Sequence, residues 1–379
     1  MSNHVSRRKF VASLGMLAAA LPLGASAFDF IPSAGKGFNF MLLGDLHFDK
    51  LEHHDMEYIK AKYPNDLEQI KNYSRVTRDN LPLLMQEVKQ KGTALNADFY
   101  LQLGDFVEGL CGSEALAQQQ TGEFISYVAD QQLNRPFLVI KGNHDITGEG
   151  APQTYIKTVL PWQSREHKQQ TQAANATFVH KNTRFILFDA YAPDESLEWL
   201  KKVLVEHKEK TLFFCIHMPV VPFNARSNWH IFAKPTQQKK REELLNLLGR
   251  HKAIVLCGHL HKTSILKRST AEGDFVQVCI GSVIPAPDAA VKDHLQGLDA
   301  YNTDLVNLEP KFAPASLQER KDNLANEKPF IRHFEYADFC GHATMQVTDK
   351  NEAVIAIHAN VDKAPWRTIN LTELLYAAK

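Results

Sequence analysis

From residue 38 onward, short uninterrupted apolar runs alternate with longer stretches in which apolar residues recur at helical spacing. The runs are FNFMLL (38–43), ADFYLQL (97–103), PFLVI (136–140), RFILF (184–188), TLFFCI (211–216) and AIVLC (253–257). Rich in β-branched and aromatic residues, they read as strands, and their lack of polar alternation predicts a sheet covered on both faces. Helices are expected over roughly 74–91, 114–133, 194–208 and 237–250. Asp194, after Pro193, reads as the N-cap of the third, with Leu197, Leu200 and Leu204 on one face. From about residue 263 strands and turns take over (SILKR, DFVQVCI, FIRHFEY, ATMQV, AVIAIHANV), as if a second layer of sheet were being built. That order favours an α/β fold in which a two-sheet β-sandwich is flanked by helices, over a single doubly wound sheet. The expected organisation is a main domain over 38–285, an insertion or long loop over the polar stretch 286–328, and C-terminal strands over 329–379 that complete the second sheet.

Five of the runs end alike. FNFMLL leads into Gly44-Asp45-Leu46-His47, ADFYLQL into Gly104-Asp105, PFLVIK into Gly142-Asn143-His144-Asp145, TLFFCI into His217, and AIVLC into Gly258-His259-Leu260-His261. The crevice beyond the carboxyl ends of the strands is where α/β sheets form their sites. Taken singly, these polar residues are ordinary loop residues. Together they bring two aspartates, an asparagine and four histidines to one region, with His144 and Asp145 behind them. Buried carboxylates and imidazoles need partners, and cations supply them. Carboxylate, amide oxygen and neutral imidazole, with no thiolate, suit a pair of divalent ions (Mn, Fe or Zn) and not a structural cysteine-type zinc site. In Asp45-x-His47 and His259-x-His261, alternate side chains of an extended segment point the same way, so each pair can chelate.

The ordered set D-x-H, G-D, G-N-H-D, H and G-H-x-H, spread over residues 44–261, resembles the calcineurin-like metallophosphoesterase superfamily. The resemblance implies a four-layer α/β/β/α sandwich holding two metals that share one aspartate. It implies that Asp45, His47 and His261 hold one ion, that Asn143, His217 and His259 hold the other, and that Asp105 bridges them. His144 is similar to the histidine that contacts the phosphoryl group and protonates the leaving oxygen, and Asp145 would orient it. The implied reaction is hydrolysis of a small phosphomonoester or phosphodiester, nucleotides and cyclic nucleotides included. A metal-bound hydroxide, available near neutral pH, would be the nucleophile and His144 the general acid. One departure matters. Where protein Ser/Thr phosphatases read G-D-x-x-D-R-G, this chain has Gly104-Asp105-Phe106-Val107-Glu108-Gly109. The missing arginine disfavours a phosphoprotein phosphatase, and the lack of a tyrosine just after Asp105 disfavours a purple acid phosphatase. Asn224, Arg226, Trp229 and His230, in a segment too aromatic for a linker, are candidates for substrate contact, with Arg226 replacing the absent arginine. His53 and His54 read as a solvated loop or the mouth of the cleft.

Charge narrows the alternatives. The chain has 43 basic and 43 acidic residues, so it has no bulk positive charge for a nucleic-acid groove or a membrane surface; any anionic substrate must be recognised locally. That counts against a nuclease or a stable nucleic-acid partner. A non-catalytic metal-binding scaffold of the same fold would be expected to have lost ligands, and none is lost here. The five cysteines, an odd number without motif spacing, read as core thiols. At the N-terminus, Arg7-Arg8-Lys9 precedes the apolar stretch Val11 to Leu23, and Ala25-Ser26-Ala27 follows. The expectation is a twin-arginine (Tat) signal peptide over residues 1–27, export by the Tat machinery, and a periplasmic or extracellular mature protein. Its apolar part is shorter than the roughly 20 residues of a membrane span, so no such span is expected in the mature chain.

Overall fold

Alternate residues of each apolar run face opposite ways, and both faces are buried. Phe40 and Leu42 enter a core shared with Phe185, Phe213 and Val276, while Met41 and Leu43 between them pack with Val76, Leu84 and Phe124. Likewise Phe213 and Cys215 enter the shared core, and Leu212, Phe214 and Ile216 pack with Leu197, Leu200 and Leu244. The shared core lies between two sheets and the other two clusters lie under helices, so uninterrupted apolarity follows directly from burial on both sides. The computed structural model describes residues 37–168, 171–311 and 315–377; the signal peptide expected over residues 1–27 lies outside them.

In chain order the strands are β1 (Phe38–Leu43), β2 (Phe99–Gln102), β3 (Phe137–Val139), β4 (Ala176–His180), β5 (Thr183–Phe188), β6 (Thr211–Ile216), β7 (Ile254–Cys257), β8 (Thr263–Thr270), β9 (Gly273–Cys279), β10 (Lys292–Gln296), β11 (Ile331–Asp338), β12 (Gly341–Val347), β13 (Ala353–Ala359) and β14 (Arg367–Asn370). One sheet runs β14-β13-β12-β1-β2-β3, the other β10-β11-β8-β9-β7-β6-β5-β4. β1, β2 and β3 are mutually parallel, as are β5, β6, β7 and β9. Two sheets with flanking helices are the architecture expected from the sequence.

Four details differ. The single helix expected over 74–91 is two, Leu67–Asp79 and Leu81–Ala94, because Pro82 starts a new first turn and Asn80 donates its side-chain amide to the carbonyls of Ile284 and Pro285. Asp194 does not cap its helix; Pro193–Val205 begins after Ala192, and Asp194 instead pairs with Lys240 at 2.6 Å. The strands after residue 329 do not all join one sheet. β11 extends the larger sheet, whereas β12 lies antiparallel to β1, with Phe38 opposite Val347 and Leu43 opposite His342, and carries β13 and β14 with it. The stretch 286–328 is not a plain loop either, since it contains β10 and the Leu317–Glu327 helix, capped by Ser316. No helix among the described residues is long and apolar enough to cross a membrane.

Candidate metal centre

The parallel strands of both sheets end at one edge, and the loops leaving β1, β2, β3, β6 and β7 supply the polar residues picked out by pattern. Four of them have left-handed backbones: His47 (φ 47°), Asp105 (φ 55°), His259 (φ 75°) and His261 (φ 53°). Each costs about 1–3 kcal/mol for a residue with a side chain, so the surroundings must enforce it. They do so with buried hydrogen bonds. The amides of Leu46 and His47 both donate to the Asp105 carbonyl at 3.0 Å, and the His259 amide donates to Asp45 Oδ1 at 2.8 Å. Gly142 permits the closest approach: a Cβ there would stand 2.1 Å from the Asp105 amide nitrogen.

Asp105 is the shared member of the cluster. Its Oδ2 lies 3.0 Å from His217 Nε2 and 3.9 Å from His47 Nε2. On one side, His47 Nε2 and His261 Nε2 are 2.9 Å apart, and His261 Nε2 is 3.6 Å from Asp45 Oδ1. On the other, His217 Nε2 is 3.2 Å from both Asn143 Oδ1 and His259 Nδ1. Ligand atoms about 2.1 Å from a common ion are at most about 4.2 Å apart, so each group has the spacing to hold a cation.

The outer partners fix which nitrogen faces inward. His47 Nδ1 donates to Glu108 Oε2 at 2.7 Å and His217 Nδ1 to the Leu103 carbonyl at 2.7 Å, which turns both Nε2 atoms into the site. Burial, with neighbouring histidines adding to it, holds the pKa values of His47, His259 and His261 well below the usual range, so these rings are neutral. Burial, with repulsion from Asp105 adding to it, pushes Asp45 up to about 7 against the pull of His217, and its Oδ2 has no hydrogen-bond partner. Inward imidazole nitrogens, an orphaned buried carboxylate oxygen and a shared aspartate make a donor set that two divalent cations fit.

His144 sits beside this set. Its Nδ1 donates to the Glu108 carbonyl at 2.7 Å, with the Glu108 carboxylate 3.3 Å away, so its Nε2 is left for other work. Burial alone would depress this imidazole; Glu108 and Asp105 outweigh it and raise the pKa above the ordinary value. Asp145 does not hold the ring as expected. Its carboxylate accepts the amides of Gly142 (2.7 Å), Phe106 (2.9 Å), Asp105 (3.1 Å) and Val107 (3.3 Å), lashing the β2 loop to the β3 loop. Asp145→Ala is therefore expected to lower stability by at least about 2 kcal/mol, since each stranded buried amide costs about 1–3 kcal/mol, and to weaken both metals together. Full metal content and stability with lost turnover would return Asp145 to a catalytic role.

Glu108, which the sequence shows only as a departure from a pattern, is the residue that joins His47 to His144. Burial raises its carboxyl to about 7. The absent arginine has a steric reason. Gly109 has φ 70°, and a Cβ there would stand 2.2 Å from the His144 carbonyl oxygen. Tyr191, also missed, donates its hydroxyl to Asn143 Oδ1 at 3.2 Å. It follows β5, a sixth strand that ends in polar residues, Asp189-Ala190-Tyr191.

The four candidates for substrate contact divide. Trp229 lies with its ring 5.1 Å from that of His259, and the Arg226 guanidinium sits 5.3 Å over Trp229 while bonding to Glu309 at 2.7 Å. Asn224 is a turn residue whose Oδ1 accepts the Arg226 amide at 2.9 Å. His230 is buried, bonds to the Ser227 carbonyl at 2.8 Å and is held down to about 3 by burial and by Arg241. Those two are structural. His53 and His54 are not solvated; both are buried, with His54 Nε2 2.7 Å from Asp49 Oδ1 and His53 Nε2 3.1 Å from Glu123 Oε2.

Comparison with known proteins shows the family. The model of the calcineurin-like phosphoesterases matches residues 38–263, more than half of the chain. The chain belongs to that family. A manganese-dependent ADP-ribose/CDP-alcohol diphosphatase of Xenopus tropicalis is 27% identical over 163 residues, 42% of this chain and 45% of that protein. The chain thus spans under half the length of that relative. Among solved structures, a dimetal phosphatase from Danio rerio matches with a TM-score of 0.50 at 14% identity, over 88% of this chain and 99% of the other. The purple acid phosphatase PPD1 of yellow lupin (Lupinus luteus) matches at 0.53 and 12% identity, over 93% and 57%. These two likenesses bear on the fold alone.

Proposed function

We propose that this phosphoesterase hydrolyses small phosphoesters with two divalent cations, one held by Asp45, His47 and His261, the other by Asn143, His217 and His259, with Asp105 between them. The observation that carries the reading is Asp105 Oδ2, 3.0 Å from a nitrogen of one group and 3.9 Å from a nitrogen of the other. Such cations, when bound, supply Lewis acidity toward the phosphoryl oxygens and an activated water; oxygen and imidazole donors suit Mn, Fe or Zn. The rest falls to the chain. Glu108 fixes His47 and, through its carbonyl, turns His144 so that Nε2 can give a proton to the leaving oxygen. Asp145 keeps Asp105 and Asn143 in register. Trp229 and Arg226 form one wall of the approach. The Xenopus relative's name supports a nucleotide-derived diphosphate as substrate.

The test is metal content together with turnover of a panel containing ADP-ribose, p-nitrophenyl phosphate and bis-p-nitrophenyl phosphate with Mn²⁺. Protein that holds two metals and turns over none of the three would sink the reading. The division of ligands is tested separately. His259→Ala and His261→Ala should each weaken a different ion by more than about tenfold, a loss that even outer partners of a ligand can cause. Equal weakening of both ions by either substitution would contradict the assignment.

A further inference from the structure

A cavity of about 250 Å³ opens beside His261, between the Leu67–Asp79 helix and the ends of β11 and β12. At ~30 Å³ per water it holds roughly eight waters, less than the ~300–1,000 Å³ of a complete small-molecule site. It is sized for one part of a substrate whose reacting phosphorus lies elsewhere. Tyr73 forms its wall toward the metal centre, stacked on His47 at 4.3 Å and with its hydroxyl 3.4 Å from His261 Nδ1. Lys262, directly after His261, lines the cavity with its Nζ 2.6 Å from Asp338 Oδ1 and 4.0 Å from Glu309 Oε1. Lys292 lines it too. Asn360, 2% exposed and also lining it, donates its amide to the Ala289 carbonyl, and its side-chain oxygen has no partner.

We propose that this cavity receives the leaving group, and that Lys262 exchanges Asp338 for an anionic group carried by it. The proposal rests on the hydrolytic reading above and narrows it to substrates whose leaving group bears its own phosphate, a sugar phosphate in size. Lys262 is suited to this. Its pair with Asp338 is partly exposed, with side chains 16% and 31% accessible, and such pairs cost little to open. A phosphate offers the ammonium group a stronger charge-assisted bond in return. In the reaction the water oxygen bonds to phosphorus and the water gives a proton to solvent, the bond from phosphorus to the leaving oxygen breaks, and that oxygen departs, with the proton from His144 Nε2, as part of a phosphate monoester. A chain without net basic charge thereby gains anion recognition at one place.

The test compares ADP-ribose, whose leaving group is a sugar phosphate, with bis-p-nitrophenyl phosphate, whose leaving group is a phenol. Lys262→Gln, with two metals per chain retained, is expected to cut kcat/KM on ADP-ribose at least tenfold more than on bis-p-nitrophenyl phosphate. An equal fall on both, or no fall on ADP-ribose, would overturn the assignment. Binding gives a readout independent of turnover. Methylenediphosphonate should bind the metal-loaded wild type at least tenfold more tightly than methylphosphonate, and Lys262→Gln should erase that advantage. If the advantage survives, the proposal fails. If the wild type hydrolyses neither ester yet the advantage depends on Lys262, the hydrolytic reading fails and the subsite stands.

Discussion

Replacing His144 with alanine is expected to lower turnover by roughly 10²–10⁴-fold, the range of a positioned general acid, with two metals per chain still bound. The ring stands apart from both ligand groups in what holds it: the Glu108 carbonyl at 2.7 Å takes Nδ1, while its main-chain amide donates to Asp105 Oδ1 at 2.8 Å and survives the substitution. The loss should depend on the leaving group. An alkoxide needs the proton, a phosphate monoester needs it less and p-nitrophenolate departs without it, so the deficit should shrink in that order. Metal analysis alongside kinetics decides the matter. Loss of an ion would make His144 a ligand, since it also lies within reach of His47 and Asp105, and unchanged turnover would remove it from the mechanism.

The second large effect concerns stability. Glu327 is buried and takes Arg241 Nη2 at 2.7 Å on one oxygen and Arg268 Nε at 2.6 Å on the other, tying the Leu317–Glu327 helix to the Gln238–Arg250 helix and to β8. Glu327→Gln leaves two buried guanidinium groups short of a counter-charge and is expected to cost about 3–5 kcal/mol in urea unfolding. The pair also sets a pH window. Burial would raise this carboxyl, but Arg241 and Arg268 prevail and hold it at about 2, against an ordinary 4.5. A depressed folded pKa means that the stabilisation is fully present above pH 4.5 and is lost as pH falls toward 2. The wild type should therefore lose stability through that window and Glu327→Gln should lose much less. A difference in stability below about 1 kcal/mol, the ordinary cost of a substitution, would show that the network is not holding these elements together.

What could be read from the chain, and what could not, follows from the range of the interactions. A strand's burial and its polar terminus are local, so β1, β2, β3, β6 and β7 and the seven donors after them are visible as runs and end residues. The partner of a strand is not local. Nothing in FNFMLL indicates that its antiparallel neighbour lies at Gly341–Val347, and a run buried on both faces carries no mark of which sheet it joins. Roles that depend on direction were equally hidden. Asp145 follows His144 in sequence but points its carboxylate at backbone amides, while Glu108, on another loop, reaches two histidines. His230 and Arg226 share one aromatic segment, yet one is buried against Ser227 and the other is held at the rim by Glu309.

The antiparallel pairing of β1 with β12 carries a consequence for timing. Every proposed ligand has been synthesised by His261, but the strand that delivers Asp45 and His47 gains its second neighbour only when Val347 has emerged. Closing a loop of that length is an entropic cost met before any contact repays it. The proposed centre therefore gains its full frame only after the chain that supplies its ligands is already made, and ions offered to a growing chain would find donors without that frame.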